Sequence, residues 1–154
     1  MPRTSTRPAL KIAAGIIETD YRLDDHVGFQ LRRAYQRASA NLATRLAAYD
    51  VTVPQFSVLA RLHERGQVSQ NFLGRLAVME PANIRDVVLR LKKRGLIRAQ
   101  KDSSDRRLIV LSLTRAGSSL FETLRLLQAE STAQTLAPLR PVERTLLLNL
   151  LSRL

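Results

Sequence analysis

The 154-residue chain contains no cysteine, no tryptophan and only two histidines, His26 and His63. Without cysteine, the chain forms neither a disulfide nor a thiolate metal site. Two histidines are too few for a typical zinc site and leave little material for imidazole-based catalysis. The sequence also has no glycine-rich phosphate loop and no hydrolase-like order of Ser, His and Asp. We therefore predict no catalytic residues, no metal, no cofactor and no enzymatic activity.

Acidic residues are scarce as well: 13 Asp and Glu stand against 25 Lys and Arg, which gives a net charge of +12. This excess favours a polyanionic partner, either nucleic acid or an anionic membrane. The apolar run 12–17 is far shorter than the roughly 18–20 residues that span a bilayer, and it lacks a cleavage motif. We predict a cytoplasmic protein with no membrane partner. Residues 1–22 form a basic arm in this interpretation, with an Arg- and Thr-rich transit peptide as the alternative.

The remaining chain shows helical periodicity over most of its length. Apolar residues recur at three- and four-residue steps through 24–49, which predicts one long amphipathic helix. Thr52 and Gln55 form a capping box for a second helix that ends at Gly66.

A pair of short helices is expected next. Ser69 is the N-cap of a helix that ends near Met79, and Pro81 opens another that ends at Gly95. Two short helices joined by a tight turn are typical of a helix-turn-helix.

After Gly95 the apolar period changes from 3.6 to 2. Segments 96–101 and 108–113 are predicted strands, with Ile109, Leu111 and Leu113 on one face of the second strand. The polar segment 102–107 between them is the tip of a hairpin. Two more helices are expected, one capped by Thr114 and ending near residue 132, the other starting near Pro141.

This order predicts a mainly α fold with a small β-hairpin wing. Residues 51–114 form a winged helix-turn-helix lobe, and segments 23–50 and 115–154 form flanking helices within one compact domain. Leucines cover more than one face of the last helix. Because a monomer rarely exposes such a patch, we predict that the flanking helices bury against a second copy of the chain.

Half of the net charge falls in residues 83–107. Nine basic residues there face only three aspartates. The basic residues are Arg85, Arg90, Lys92, Lys93, Arg94, Arg98, Lys101, Arg106 and Arg107. A charge run alone is usually a solvated face, but this one coincides with the helix-turn-helix and the hairpin, which favours duplex DNA.

Three groups of DNA contacts follow from that placement. The first turns of the Pro81 helix would present residues to base edges in the major groove, namely Pro81, Ala82, Asn83 and Arg85. The hairpin would contribute Lys101, Arg106 and Arg107, with its two arginines in the minor groove. The preceding helix would donate to phosphates from Ser69, Gln70 and Asn71.

A structural RNA- or ribosome-associated basic protein is the alternative function. Single-stranded RNA binding requires aromatic residues as stacking platforms among the basic ones. Aromatic residues make up 5% of this sequence and are not interleaved with the basic cluster. The sequence therefore favours the DNA-binding interpretation.

Several segments resemble the MarR family of winged-helix regulators from about Leu23 to Leu154. They are the runs 23–29, 51–59, 68–75 and 88–97, and above all 102–107 followed by 111–117. The resemblance implies an obligate homodimer, a pseudo-palindromic operator, and repression that a small, often aromatic and anionic, ligand relieves. Family members often carry Pro and Arg where this chain has Ser103 and Ser104, so a more flexible wing is expected.

The segment 23–29 followed by Arg32 and Arg33 looks most like regulators of aromatic-acid catabolism. A ligand with a carboxylate or phenol group would then contact His26, Phe29, Arg33 and Phe56. Each of these residues also has a structural interpretation: an exposed or capping histidine, two core phenylalanines, and an arginine in an ion pair. His63 is expected to be structural, and Asp102 is expected to form the hairpin turn.

Overall fold

The computed structural model describes residues 21–154. All but the last two residues of the basic arm predicted at 1–22 lie outside that range. The described chain divides into two compact units, residues 21–37 and 38–154. Six helices and three strands follow one another in the order α1 Val27–Leu46, α2 Val53–Arg65, β1 Val68–Ser69, α3 Gln70–Leu76, α4 Pro81–Lys93, β2 Ile97–Lys101, β3 Ile109–Leu113, α5 Arg115–Leu136 and α6 Pro141–Leu151. Short 3-10 helices lie at Leu23–Asp25 and Ala47–Tyr49.

Three of the predicted helix starts, at Thr52, Ser69 and Thr114, are confirmed by their cap hydrogen bonds, whereas the helix predicted from residue 24 begins at Val27. The Gln55 amide donates to Thr52 Oγ1 at 3.4 Å, and the Thr52 amide donates to Gln55 Oε1 at 3.0 Å. The Oγ atoms of Ser69 and Thr114 each accept from an amide three residues later. Because a cap depends on residues within one turn, it can be read from the sequence.

The three strands form one antiparallel sheet in the order β1-β3-β2. Ile97 pairs with Leu113 and Lys101 pairs with Ile109, as a hairpin requires. The two-residue strand β1, which pairs with the opposite edge of β3, is absent from the sequence prediction. Since β3 is the central strand, Val110 and Ser112 are buried as well as Leu111.

Ile109 lies at the exposed end of the hairpin. It shares a face with Leu111, yet its side chain is 61% exposed. Ile109 lies at the outer end of β3, where it pairs with the exposed Lys101.

A single core lies within residues 38–154. The helix α2 is central to it, with Val58, Leu59 and Leu62 at 0–1% exposure. Four other helices contribute one fully buried leucine each: Leu46, Leu73, Leu91 and Leu124. This packing fixes α3, α4 and the sheet on α2.

The start of α5 is docked tightly on the backbone between α4 and β2. The Thr114 amide donates to the Leu96 carbonyl oxygen at 3.0 Å, and the Thr114 hydroxyl donates to the Gly95 carbonyl oxygen at 2.6 Å. A Cβ atom on Gly117 would clash with the same Leu96 oxygen. Glycine is therefore the residue that lets α5 approach this carbonyl.

Both ends of the described chain leave apolar side chains uncovered. In α1, Val27, Leu31 and Tyr35 are exposed, whereas Leu42 and Leu46 are buried. In α6 no residue is buried within the part of the chain that the structure describes. Its exposed apolar residues are Val142, Leu146, Leu148, Leu150 and Leu151. Leu154, which follows the helix, is exposed as well.

Among residues 21–154, no helix combines the length and the apolar character needed to cross a bilayer.

Candidate nucleic-acid interface

The helices α3 and α4 form the predicted helix-turn-helix, and several contacts hold the turn between them. The Met79 amide donates to the Gly74 carbonyl oxygen at 2.9 Å. From α2, Arg61 Nε donates to the Leu76 carbonyl oxygen at 2.9 Å. Val78 has a φ of 53° and is 92% exposed, a conformation that a β-branched residue rarely adopts. The turn is thus fixed by its neighbours despite the local strain.

The helix α4 buries one stripe and presents the other to solvent. Ile84, Val88 and Leu91 are buried against the core. The four residues predicted to meet base edges, Pro81, Ala82, Asn83 and Arg85, are all exposed in its first turns. Because Pro81 occupies the first turn, its missing N–H costs no helical hydrogen bond. The first turns of α4, which we call its reading end because they are predicted to contact bases, are therefore accessible to solvent.

Two further residues lie on the outward face of α4 and are absent from the sequence prediction. Residues four and seven positions after Ala82 fall on the same helical face, which places Asp86 and Leu89 beside it. Asp86 is exposed and Leu89 is 50% exposed. The positions of Asp86 and Leu89 could have been predicted from the sequence, because the spacing of the buried apolar residues of α4 also defines its exposed face.

An open cavity of about 360 Å³ separates α4 from the start of α2. Thr52, Pro54 and Gln55 line it from α2, and Asn83, Asp86 and Arg90 line it from α4. The predicted base-reading residue Asn83 therefore borders a space that water or a ligand group can enter.

At the start of α3, the three predicted phosphate-contacting residues lie in sequence. Ser69 Oγ accepts from the Phe72 amide, and its hydroxyl hydrogen remains available to a phosphate oxygen. Gln70 is half-buried and Asn71 is exposed. Nearby, the Arg75 guanidinium lies over the Phe72 ring, 5.4 Å from its centre.

The wing, which comprises β2, residues 102–108 and β3, is closed by Asp102. One carboxylate oxygen accepts from the backbone amides of Ser104 at 2.8 Å and Asp105 at 3.0 Å, and also from the Ser104 hydroxyl. These bonds confirm the predicted turn. The Ser104 hydroxyl above all, and then the two amides, lower the pKa of Asp102 from its ordinary value. Ser104, expected to loosen the wing, thus takes part in closing it.

The wing cations are exposed. Lys101, Arg106 and Arg107 make no side-chain hydrogen bond or ion pair within residues 21–154. The Arg107 amide donates to Asp105 Oδ1 at 2.9 Å, which fixes the backbone but leaves the guanidinium available.

Two of the nine basic residues are engaged within the protein. Arg94 donates to the Tyr49 carbonyl oxygen at 3.1 Å and to that of Asp50. Arg98 Nε donates to Ser112 Oγ at 3.2 Å across the hairpin. The remaining seven are exposed, and in the described chain none of them forms an ion pair.

The residues predicted to bind a ligand fall into both units. In the first, Arg33 Nη1 pairs with Asp24 Oδ1 at 3.0 Å, and its guanidinium lies 5.8 Å from the centre of the Phe29 ring. The His26 ring is 4.8 Å from that of Tyr21. The ion pair is the structural alternative foreseen for Arg33. The assignment of these residues to a ligand stays a prediction.

In the second unit, Phe56 belongs to an aromatic cluster. The centre of its ring is 6.0 Å from that of the Phe121 ring. The His63 ring lies on the same phenylalanine, 4.6 Å from the centre of the Phe121 ring. Phe56 is 9% exposed, which agrees with its structural alternative as a core residue. Within residues 21–154, no group of three His, Asp or Glu is placed to hold a metal ion.

Comparison with known proteins identifies the family to which this fold belongs. The model of the MarR family matches residues 51–109. The HTH-type transcriptional repressor NicR of Pseudomonas putida is 31% identical over 142 residues, covering 92% of this chain and 90% of NicR. The family and this relative are transcriptional regulators, which are not enzymes.

Solved structures show the same similarity. A probable transcriptional regulator from Pseudomonas aeruginosa is 43% identical, with a TM-score of 0.79 over 86% of this chain and 98% of that one. BpsR of Bordetella bronchiseptica, whose DNA binding is regulated by 6-hydroxynicotinic acid, is 33% identical. Its TM-score is 0.81 over 87% of this chain and 96% of BpsR. These similarities confirm the predicted fold class, and the chain belongs to the MarR family as a winged-helix transcriptional repressor.

Proposed function

We propose that the protein acts as a homodimer that binds a pseudo-palindromic DNA operator and leaves it when a small aromatic acid binds. The observation that carries the DNA-binding part is the pairing of an exposed reading end on α4 with an exposed basic wing. In this proposal Pro81, Ala82, Asn83 and Arg85 meet base edges in the major groove. Lys101, Arg106 and Arg107 of the wing contact phosphates and the minor groove.

Charge supports a duplex partner. Each cation that neutralises a phosphate releases a counterion, so affinity would fall steeply as salt rises. The seven exposed cations between residues 83 and 107 are not held in ion pairs within the described chain, and are therefore free for such contacts. Ser69, Gln70 and Asn71 would add uncharged phosphate contacts that set the register.

The uncovered end helices support the dimer. An α6 with no buried residue is unusual for a helix of a stable monomer. A twofold partner would cover this surface and present two copies of α4 to half-sites about one helical turn apart, roughly 34 Å.

Selection from a random duplex library tests the DNA-binding proposal. We expect the full chain to enrich an inverted repeat whose half-sites lie about one turn apart. The enriched duplex should bind at least about a thousandfold more tightly than unrelated duplex or its separated strands at physiological salt. Equal affinity for all three nucleic acids would contradict the proposal and favour the RNA-associated alternative. A repressor acts where its operator lies, so we further propose a cytoplasmic protein without a membrane partner.

The ligand is proposed from the relatives and from the residues at the start of α1. BpsR responds to 6-hydroxynicotinic acid, a heteroaromatic carboxylate. In this chain His26 and Arg33 can bond such a group, and Phe29 can contact its ring. A ligand carboxylate at Arg33 would have to replace Asp24, whose ion pair is more than half exposed and therefore weak.

A thermal-shift panel of aromatic and heteroaromatic acids, followed by operator release, tests the ligand proposal. We expect at least one acid to raise the unfolding temperature and to weaken binding to the selected duplex. Arg33→Ala should abolish both effects while leaving operator binding intact. The control Arg32→Ala removes a neighbouring charge and should leave the ligand response unchanged. An equal response in both variants would exclude Arg33 from the ligand site.

A further inference from the structure

We propose that Asp86 determines operator specificity by accepting a hydrogen bond from the exocyclic amino group of cytosine in the major groove. This inference rests on the proposed DNA-binding function. It assigns a base-reading role to an acidic residue on the exposed face of a helix that also carries Arg85 and Arg90.

The placement of Asp86 makes its carboxylate accessible to DNA. It lies one turn beyond Ala82 on the face of α4 opposite the buried Ile84 and Val88. Its side chain is exposed and borders the open cavity between α4 and the start of α2. The carboxylate is therefore accessible from solvent on the outward face of α4.

The carboxylate is also without a partner among residues 21–154. Arg90 is four residues further along α4, the usual spacing of a helical ion pair, but no salt bridge joins the two. No hydrogen bond to the carboxylate occurs in this range either. Both oxygens are free to accept.

Binding to DNA would make an unpaired carboxylate unfavourable. The groove is lined with phosphates, and a desolvated anion there needs a hydrogen-bond donor. In the major groove, the donors on base edges are the amino groups of cytosine and adenine. Adenine places its N7 acceptor beside that amino group, which repels a carboxylate, whereas cytosine presents only the donor. Asp86 therefore favours a C·G pair at its position.

Selection from a random duplex library, carried out in parallel with the wild-type chain, Asp86→Ala and Asp86→Asn, tests this assignment. The wild type should enrich a C·G pair at one position in each half-site. Asp86→Ala should lose that preference by about tenfold, with the other positions unchanged. Asp86→Asn should prefer adenine there, because an amide can pair with both N6 and N7.

Binding to unrelated duplex provides a second readout. Removal of one anion from the groove-facing surface should leave this affinity equal or higher in both variants. The control Glu122→Gln makes the same charge change on α5, where Glu122 pairs with Arg125, and should return the wild-type motif. Circular dichroism spectra confirm that each variant is folded.

The outcomes separate this inference from the function on which it rests. If the wild type enriches an inverted repeat but both Asp86 variants return the same base at every position, Asp86 does not read DNA and the inference is wrong. If the wild type enriches no motif, the proposed DNA-binding function fails and the inference fails with it.

Discussion

Asp102 shows how a single side chain shapes the wing. Its carboxylate accepts two backbone amides and a hydroxyl, all within three residues. Because these donors stabilise the ionised form, the pKa of Asp102 is lower than its ordinary value of 3.8. Because the pKa of Asp102 is lower in the folded chain than in the unfolded chain, the ionised carboxylate stabilises the fold fully at pH values above the ordinary pKa. This stabilisation is lost as the pH falls through the lowered pKa of the folded chain.

The wing turn should therefore survive mild acid and open only in strong acid. We expect the amide NMR signals of Ser104 and Asp105 to shift together, with a midpoint below pH 3.8. In Asp102→Asn this titration should disappear, since the amide oxygen still accepts but carries no titrating charge. A midpoint at or above the ordinary value would show that the carboxylate does not hold the turn.

Arg107 provides the second prediction at the residue scale. If it contacts DNA in the minor groove, Arg107→Ala should weaken binding to the selected duplex and reduce the slope of log affinity against log salt by about 1. Fluorescence anisotropy over a range of salt concentrations measures both. Arg125→Ala is the matched control, since it removes one positive charge from α5, outside the winged lobe. An unchanged slope in Arg107→Ala would remove the wing arginine from the interface.

At the scale of elements, the helices and their starts can be predicted because their determinants are local. Thr52 with Gln55, Pro81 and Thr114 each act within one turn of their own helix. The strand β1 cannot be predicted in this way, because two residues carry no periodicity and their partner strand lies far along the chain. For the same reason, the hydrogen bonds from Arg94 to the carbonyls of Tyr49 and Asp50 are invisible in the sequence.

The site shows the same division. Exposure of Asn83, Arg85 and Arg107 follows from helical period and turn composition, so the exposed residues that we propose to face DNA could be named in advance. The exposure of Asp86 follows from the same helical period, although the sequence prediction did not include this residue. The ligand residues could not be settled, because Arg33 has an acidic partner and Phe56 a stacked ring that only three-dimensional contacts show.

The close docking of α5 gives a prediction for Gly117. Alanine there would bring Cβ against the Leu96 backbone, which cannot move as a side chain can. We expect Gly117→Ala to lower the free energy of unfolding by about 1–3 kcal/mol. Gly28→Ala in α1 is the control, because its Cβ would meet nothing within 4 Å, and alanine favours a helix.

Urea unfolding at one fixed protein concentration measures the two glycine variants. Equal stability of Gly117→Ala and the wild type would mean that α5 does not approach the Leu96 carbonyl as closely as described.

At the scale of the whole molecule, the uncovered leucines of α6 predict a dimer. The double variant Leu146→Glu/Leu150→Glu places two charges on its apolar face and should give monomers in analytical ultracentrifugation, with loss of binding to the full inverted repeat. The control Thr145→Glu/Asn149→Glu adds the same charge to the polar face of the same helix. Its sedimentation should match that of the wild type. Identical behaviour of the two double variants would place the dimer contact elsewhere.

An α6 that buries no residue within the described range 21–154 also makes the proposed repressor sensitive to protein concentration. When a second copy must cover this helix, the stability of the folded dimer is inseparable from the concentration of the chain. Dilution by cell growth would then lower both the stability of the dimer and the fraction of operator that it occupies.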